Sequence, residues 1–248
     1  ALHSSGSTLA FEAPDPILLD AGTPKVFRSF MDITLPNTQR KGQDLLNMKD
    51  PKRKRVVHAV QVGDPGHLHY TYDLDNGAMA QLWKGEFLNT SPMWDDRGDG
   101  SSRPLGAVLA FDDIQTIVSK SQLFDLSPSE NDPVKGLVPH GYDLDDIGHP
   151  TFRYNLNSVE FQDQLQVIEG KSLKRTLLAN NLEKGSNQVV RLAVAKKIEK
   201  MDGNTWIIDD KRFYIQVPEG SKALVETSGE ISVLYLPLSS KVEWTILW

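Results

Sequence analysis

Lys241-Val-Glu-Trp-Thr-Ile-Leu-Trp248 decides the fold class. Val242, Trp244, Ile246 and Trp248 recur at every second position, with Lys241, Glu243 and Thr245 between them; only Leu247 departs from the pattern. A period of two is the geometry of a β-strand, whose successive side chains point to opposite faces. Thr151-Phe-Arg-Tyr-Asn-Leu156 repeats it, with Phe152, Tyr154 and Leu156 on one side and Arg153 and Asn155 on the other. Comparable runs occur at Val56–Val62, His67–Leu74, Ala78–Trp83, Val159–Val167, Val189–Val194, Thr205–Ile208, Arg212–Val217 and Ile231–Leu236.

Turn residues punctuate these runs. Asp73-Leu-Asp-Asn-Gly77 ends in an Asn-Gly pair, which tolerates positive φ and so suits a tight hairpin; Met201-Asp-Gly-Asn204 and Pro218-Glu-Gly-Ser221 read the same way. Short strands separated by turns predict an all-β chain folded as a single antiparallel β-sandwich, with residues 1–25 as an N-terminal extension and 26–248 as the sandwich domain. One short helix is expected from Asp112 to about Ser121, where Ile114, Ile117 and Val118 have helical spacing and Asp112 with Gln115 resembles a capping box.

Composition narrows the function. With 27 Lys and Arg against 33 Asp and Glu, the net charge of -6 offers no electrostatic reason for a nucleic-acid partner or a lipid surface. The basic cluster Lys52-Arg-Lys-Arg55 reads as a solvated loop before a strand. No apolar run approaches the ~20 residues of a membrane-spanning helix. The chain has no cysteine, which excludes a disulfide framework, a thiolate nucleophile and covalent haem within it, and leans toward a periplasmic or secreted setting. Phosphate-loop, nucleophile-elbow and zincin motifs are missing, and no cofactor is expected.

The richest segment runs from Gln81 to Gly106. In a small-ligand site, Trp83 and Trp94 would cover the C–H face of a carbohydrate-like ligand, while Asp95, Asp96, Arg97, Asp99 and Arg103 bond its hydroxyls. The competing reading makes Trp83 plain core and the charges a structural network. For catalysis, Glu86 and Asp96 are the candidate acids, with His69 as the acid-base partner. His67 and His69 would share a strand face and need a third ligand to hold a metal; Asp95-Asp-Arg-Gly-Asp-Gly100 lacks the EF-hand ligand pattern. No metal site is assigned.

Val62-Gly-Asp-Pro-Gly66, Tyr70-Thr-Tyr-Asp-Leu74, Trp83-Lys-Gly-Glu-Phe87, Met93-Trp-Asp-Asp-Arg-Gly98, Pro104-Leu-Gly106, Pro150-Thr-Phe-Arg-Tyr154 and Leu173-Lys-Arg-Thr176 together resemble a poorly characterised module of large exported bacterial proteins. In those proteins it stands beside cytochrome c domains or glucose/sorbosone dehydrogenase-like propellers. The resemblance spans about Val26 to Tyr214. It implies an exported β-sandwich near carbohydrate or redox chemistry, with a cytochrome or sugar-dehydrogenase partner and no haem of its own. An extended, mutarotase-like supersandwich suits the strand count by analogy of fold alone. Three readings stay open: a carbohydrate-associated binding or accessory module, a carbohydrate hydrolase, lyase or epimerase, and a docking domain of a periplasmic redox protein.

Overall fold

The computed structural model describes residues 15–35, 53–94, 98–126 and 133–248, which form three β-sheets. The first sheet has the order β2 (Lys25–Arg28), β5 (Ala59–Gly63), β6 (Leu68–Asp73), β7 (Ala78–Asn89), β8 (Ser101–Ala110), β3 (Phe30–Thr34), β4 (Arg53–Val56), and β1 (Leu18–Leu19) pairs separately with β7. The second runs β10 (Leu137–Leu144), β11 (Pro150–Leu156), β12 (Val159–Ile168), β13 (Ser172–Asn180), β20 (Lys241–Leu247), β17 (Phe213–Gln216), β16 (Thr205–Ile208), β15 (Ile198–Lys200). The third is β18 (Leu224–Ser228), β19 (Ile231–Pro237), β14 (Gln188–Ala195), β9 (Ile117–Ser119). The all-β antiparallel sandwich expected from the alternation is what forms; among the described residues only β3 and β8 pair in parallel.

The main core lies between the sheets. Val60, Val62, Tyr70, Tyr72 and Leu82 from the first sheet meet Phe152, Phe161, Leu177, Trp244 and Ile246 from the second, and Val190 and Leu234 from the third join them. Tyr72 stacks on Phe152 with ring centroids 3.8 Å apart. The other face of the first sheet is covered too, by Met31, Ile33, Leu35 and Val56, which enclose Trp83 and Phe87 in a second core. All six residues of β6 are therefore buried. Leu18 and Leu19, within the segment read as an extension, pair with Asn89 and Leu88, and Ala21 joins the second core.

Two turns match their reading and one does not. Asp73 pairs with Ala78 across the Leu74–Gly77 turn, where Asp73 Oδ1 accepts the Asp75 amide at 2.8 Å. Gly77 is left-handed, and a Cβ there would press on Leu137 and Tyr154 at 3.2 and 3.3 Å. Met201–Asn204 joins β15 to β16 as expected. Pro218–Ser221 turns the chain but leads from the second sheet into the third, so it closes no hairpin.

The helix expected at Asp112–Ser121 does not form. Asp112–Gln115 is irregular, with Asp113 at φ +48°, Ile117–Ser119 pairs with β14, and one 3-10 turn follows at Lys120–Gln122. Ile117 points into the main core while Ile114 and Val118 pack in a separate cluster with Val189, Val233 and Tyr235. Neighbouring apolar residues serving two cores mimic helical spacing. Arg53–Arg55 is also no loop: it lies in β4, with Lys54 on Asp113 and Asp73 and Arg55 on Asp32 and Asp99.

A charged network crosses the main core. Arg175 of β13 donates through Nε and Nη2 to both carboxylate oxygens of Asp163 on β12, and Tyr72 of β6 donates to Asp163 Oδ2 at 2.8 Å. Arg175 Nη2 also reaches the Gly77 carbonyl at 2.9 Å and the Thr116 hydroxyl at 3.2 Å. Its guanidinium lies 5.1 Å from the Trp244 ring and 5.8 Å from Tyr72. Burial alone would lower the Arg175 pKa, but attraction and hydrogen bonding to Asp163 overcome it and hold it above the ordinary value. Removing one partner would leave the other's charge buried and uncompensated. Arg175→Met is therefore expected to cost about 3–5 kcal/mol in urea unfolding; a loss below about 1 kcal/mol would contradict the network's role.

Candidate functional site

The structure divides the residues expected to bind ligand. Trp83 is fully buried; its ring lies parallel to Phe87, and its Nε1 faces the Glu86 and Phe87 carbonyls at 3.1 and 3.0 Å. It is a core residue, which corrects its assignment as a ligand contact. His69 is also enclosed, against Trp83 and Phe87. Its Nδ1 accepts the Asp64 amide at 3.0 Å, which places the proton on Nε2, and Nε2 donates to the Gly85 carbonyl at 3.0 Å. With both nitrogens used and the ring sealed from solvent, it has no free lone pair for acid-base work on a bound sugar. His67 lies outside β6 in a left-handed turn, yet its Nδ1 stands 3.2 Å from the same Gly85 carbonyl that His69 Nε2 reaches at 3.0 Å.

Glu86 is exposed, with its nearest oxygen 3.9 Å from His67. Asp99 is held by Ser101 and Arg55, bonds that bring its carboxyl down to about 2. Arg103 is exposed beside Asn89, and Trp94 is 67% exposed after a single 3-10 turn. Asp95, Asp96 and Arg97 lie outside the described residues. Trp83 and Trp94 therefore do not line one cleft. Among the described residues no group of acids and histidines is arranged to hold a metal ion.

A concave site lies elsewhere, where all three sheets meet. It is a small hollow of about 70 Å³, open to solvent on one side. Its lining comes from Ala78 and Met79 of β7, residues 111–116, Arg175, residues 191–194 of β14, Arg212 and Phe213, and Trp244 and Ile246 of β20. Twelve-residue β7 carries the cavity at its first residues and leads toward Trp94 at its last. At ~3.3 Å per residue the two ends are roughly 35 Å apart. The aromatic wall is Phe111 edge-on to Phe213, with Trp244 beneath Arg175.

Three guanidiniums dominate the polar lining. Arg191 leaves β14 beside a register shift between Arg191 and Ala193. Such a bulge bends a strand and re-aims its side chains. The guanidinium bonds to backbone carbonyls: Nε and Nη2 to Gln115, Nη1 to Leu123 and Asp125. Burial brings its pKa down to about 10, with Asp125 and Asp112 acting in the opposite direction. Burial also lowers the Arg212 pKa, against the pull of Asp112 and Asp209.

Arg212 is presented by an unusual turn. Asp209, Asp210 and Lys211 are all left-handed, at φ +44°, +53° and +73°. Asp209 Oδ1 accepts the amides of Lys196 and Lys197, each at 3.0 Å, and the Arg212 amide returns to the Ile208 carbonyl at 2.9 Å. Left-handed geometry costs a non-glycine residue about 1–2 kcal/mol. That cost is borne next to a cavity residue, where strained backbone tends to accompany function.

Neither arginine stood out in the sequence. The available signal is a charge inside an apolar run, Val189-Val-Arg-Leu-Ala-Val194, and four consecutive charges before a strand at Asp209-Asp-Lys-Arg212.

No protein-family model matches the chain, and no curated protein matches it significantly.

Two measurements check this geometry. Lys211→Gly relieves one left-handed side chain and is expected to stabilise the fold by about 1 kcal/mol; a loss would show that Lys211 contributes more than it costs. The His69 pKa is lowered chiefly by burial, so the unfolded chain binds its proton first as pH falls. His69 thus contributes a loss of stability that begins as pH drops through roughly 6.5. That part of the pH dependence should be absent from His69→Gln; identical profiles between pH 7.5 and 5 would contradict a neutral, enclosed imidazole.

Proposed function

We propose that this chain is an exported, carbohydrate-associated binding module, and that its ligand sits in the three-sheet cavity rather than on the Trp94 loop. The observation that carries the reading is the lining itself. Phe111, edge-on to Phe213, shares the lining with guanidinium, amide and hydroxyl groups of Arg175, Arg212, Gln115 and Thr116. Sugars present this combination in reverse, with apolar C–H faces and hydroxyls that both give and take hydrogen bonds. Each bond replaces one to water and is individually modest, so affinity would come from several made together. The absence of cysteine suits an oxidising compartment.

A second reading rests on the opposite end of β7. Trp94, Ile17 and Leu18 are exposed at 67%, 45% and 55%. They are close along the fold, because the Ile17 amide donates to the Ser91 hydroxyl and Leu18 pairs with Asn89. An exposed apolar group of this kind suits docking onto another domain or subunit, the cytochrome or sugar-dehydrogenase partner that the sequence resemblance implies.

Thermal-shift and calorimetric screening of neutral and acidic monosaccharides and short glycans separates the two. The cavity reading expects Phe111→Ala to weaken the sugar bound by the wild type at least tenfold and Trp94→Ala to leave it unchanged. Binding lost in Trp94→Ala but kept in Phe111→Ala, or no sugar bound at all, would overturn it.

A further inference from the structure

We infer that Lys54 and Asp113 are joined by a covalent amide, formed between Lys54 Nζ and Asp113 Cγ with loss of water, and that Asp73 carries the protons for the reaction. The bond does not depend on what the three-sheet cavity binds.

Three ionisable side chains from separate segments meet at this point. Lys54 comes from β4, Asp73 from the end of β6 and Asp113 from the irregular segment after β8. Lys54 Nζ stands 2.5 Å from Asp113 Oδ2 and 3.4 Å from Asp73 Oδ2. Cγ is one bond beyond Oδ2, so the amine and the carbon it would attack are already in a near-attack arrangement. The Asp113 carboxyl is fully buried and the Asp73 carboxyl nearly so. Two carboxyls therefore share one ammonium away from solvent. Burial and the neighbouring Asp73 charge hold Asp113 well above the ordinary carboxylate range, against the pull of Lys54. Asp113 Oδ1 makes no hydrogen bond among the described residues. Stranding a carboxylate oxygen in this way is costly, whereas the carbonyl oxygen of a neutral acid or an amide has less charge to desolvate. Asp73 is better supplied: its Oδ1 accepts the Asp75 amide and its Oδ2 the Asn76 side-chain amide, each at 2.8 Å. The negative charge thus resides on Asp73, and Asp113 presents a neutral acid to the amine.

The step balances within these three groups. The Lys54 ammonium gives one proton to Asp73, and the freed lone pair of Nζ attacks Cγ of the Asp113 acid. A second N–H proton passes to the protonated Oδ2, which leaves as water with the electrons of its bond to Cγ. Oδ1 stays as the amide carbonyl, and Asp73 ends neutral. In bulk water an amine and an acid remain as ions; a site that excludes water penalises both charges and holds the partners at high effective concentration. The link also has a structural use. β4 ends the first sheet, and the strand it pairs with, β3, joins β8 through two residue pairs, Phe30 with Ser101 and Met31 with Ser102. A bond from Lys54 to Asp113 fastens that edge across 59 positions of sequence, in a chain with no cysteine to do the same by a disulfide.

Intact-mass spectrometry of the denatured full chain, with peptide mapping, tests this. The wild type should be lighter than its sequence by one water, and a tryptic digest should yield a branched peptide that joins the Lys54 and Asp113 segments. Lys54→Met and Asp113→Ala should each restore the full mass. Asp73→Asn, which keeps the side chain's shape but cannot relay the proton, should leave most of the chain unlinked, and Asp73→Glu should recover the link. A wild type at full mass overturns the proposal, and that measurement needs no variant to fold. Water lost without the branched peptide, or still lost in Lys54→Met, overturns it in favour of cyclisation at an Asp-Gly pair, Asp99-Gly100 or Asp202-Gly203. A branched peptide formed as fully in Asp73→Asn as in the wild type keeps the bond and overturns the role given to Asp73.

Discussion

The Arg175–Asp163 pair is the constraint on which the rest of the structure depends. A guanidinium in the middle of a sandwich core is tolerable only if its charge is matched and most of its donors are paired. Asp163 supplies the charge from the adjacent strand and accepts a bond from Tyr72 of the first sheet, while Gly77 and Thr116, on the first sheet and on the loop that enters the third, accept from the guanidinium. One side chain is thereby bonded to segments of all three layers. Its flat faces also give the core something to pack on, with Tyr72 on one side of the network and Trp244 on the other.

The cavity follows from that arrangement. Three sheets that converge on a buried charge cannot close over it with apolar side chains alone, and the gap is filled by groups that tolerate polarity: Arg191 at a bulge, Arg212 after a left-handed turn, and the irregular Asp112–Gln115 segment. Each of these is a local departure from regular strand geometry, and all face one opening. A chain folding only for stability has little reason to concentrate bulge, strain and buried cation in one place, because each costs free energy.

Much of the framework was legible because half-buried strands announce themselves. Lys241–Leu247 and Pro150–Leu156 alternate in burial as their residues alternate in polarity. What escaped notice did so for identifiable reasons. β13 was not seen as a strand because Arg175 takes an inward position where the pattern asks for an apolar residue. Trp83 looked available because β7 is covered on both faces, which erases the alternation that would have marked it as core. Asp112–Ser121 mimicked a helix because Ile117 and Val118 belong to different clusters. The cavity depends on which strands of three sheets become neighbours, a long-range property that no local period encodes, so nothing in the sequence marks Arg191 and Arg212 as sharing one cavity. Trp94, with its exposed ring, was read as accessible, and it is; it stands at the far end of the first sheet from the cavity.

A double-mutant cycle on the buried pair tests the central claim most directly, with Arg175→Met, Asp163→Leu and the double variant compared by urea unfolding. If the two charges are held in the core by each other, each single change strands a buried ion, and the double change recovers much of the loss, giving a coupling well above about 1 kcal/mol. Losses that add to within about 0.5 kcal/mol would mean that the two side chains contribute separately, and the three sheets would need another joint.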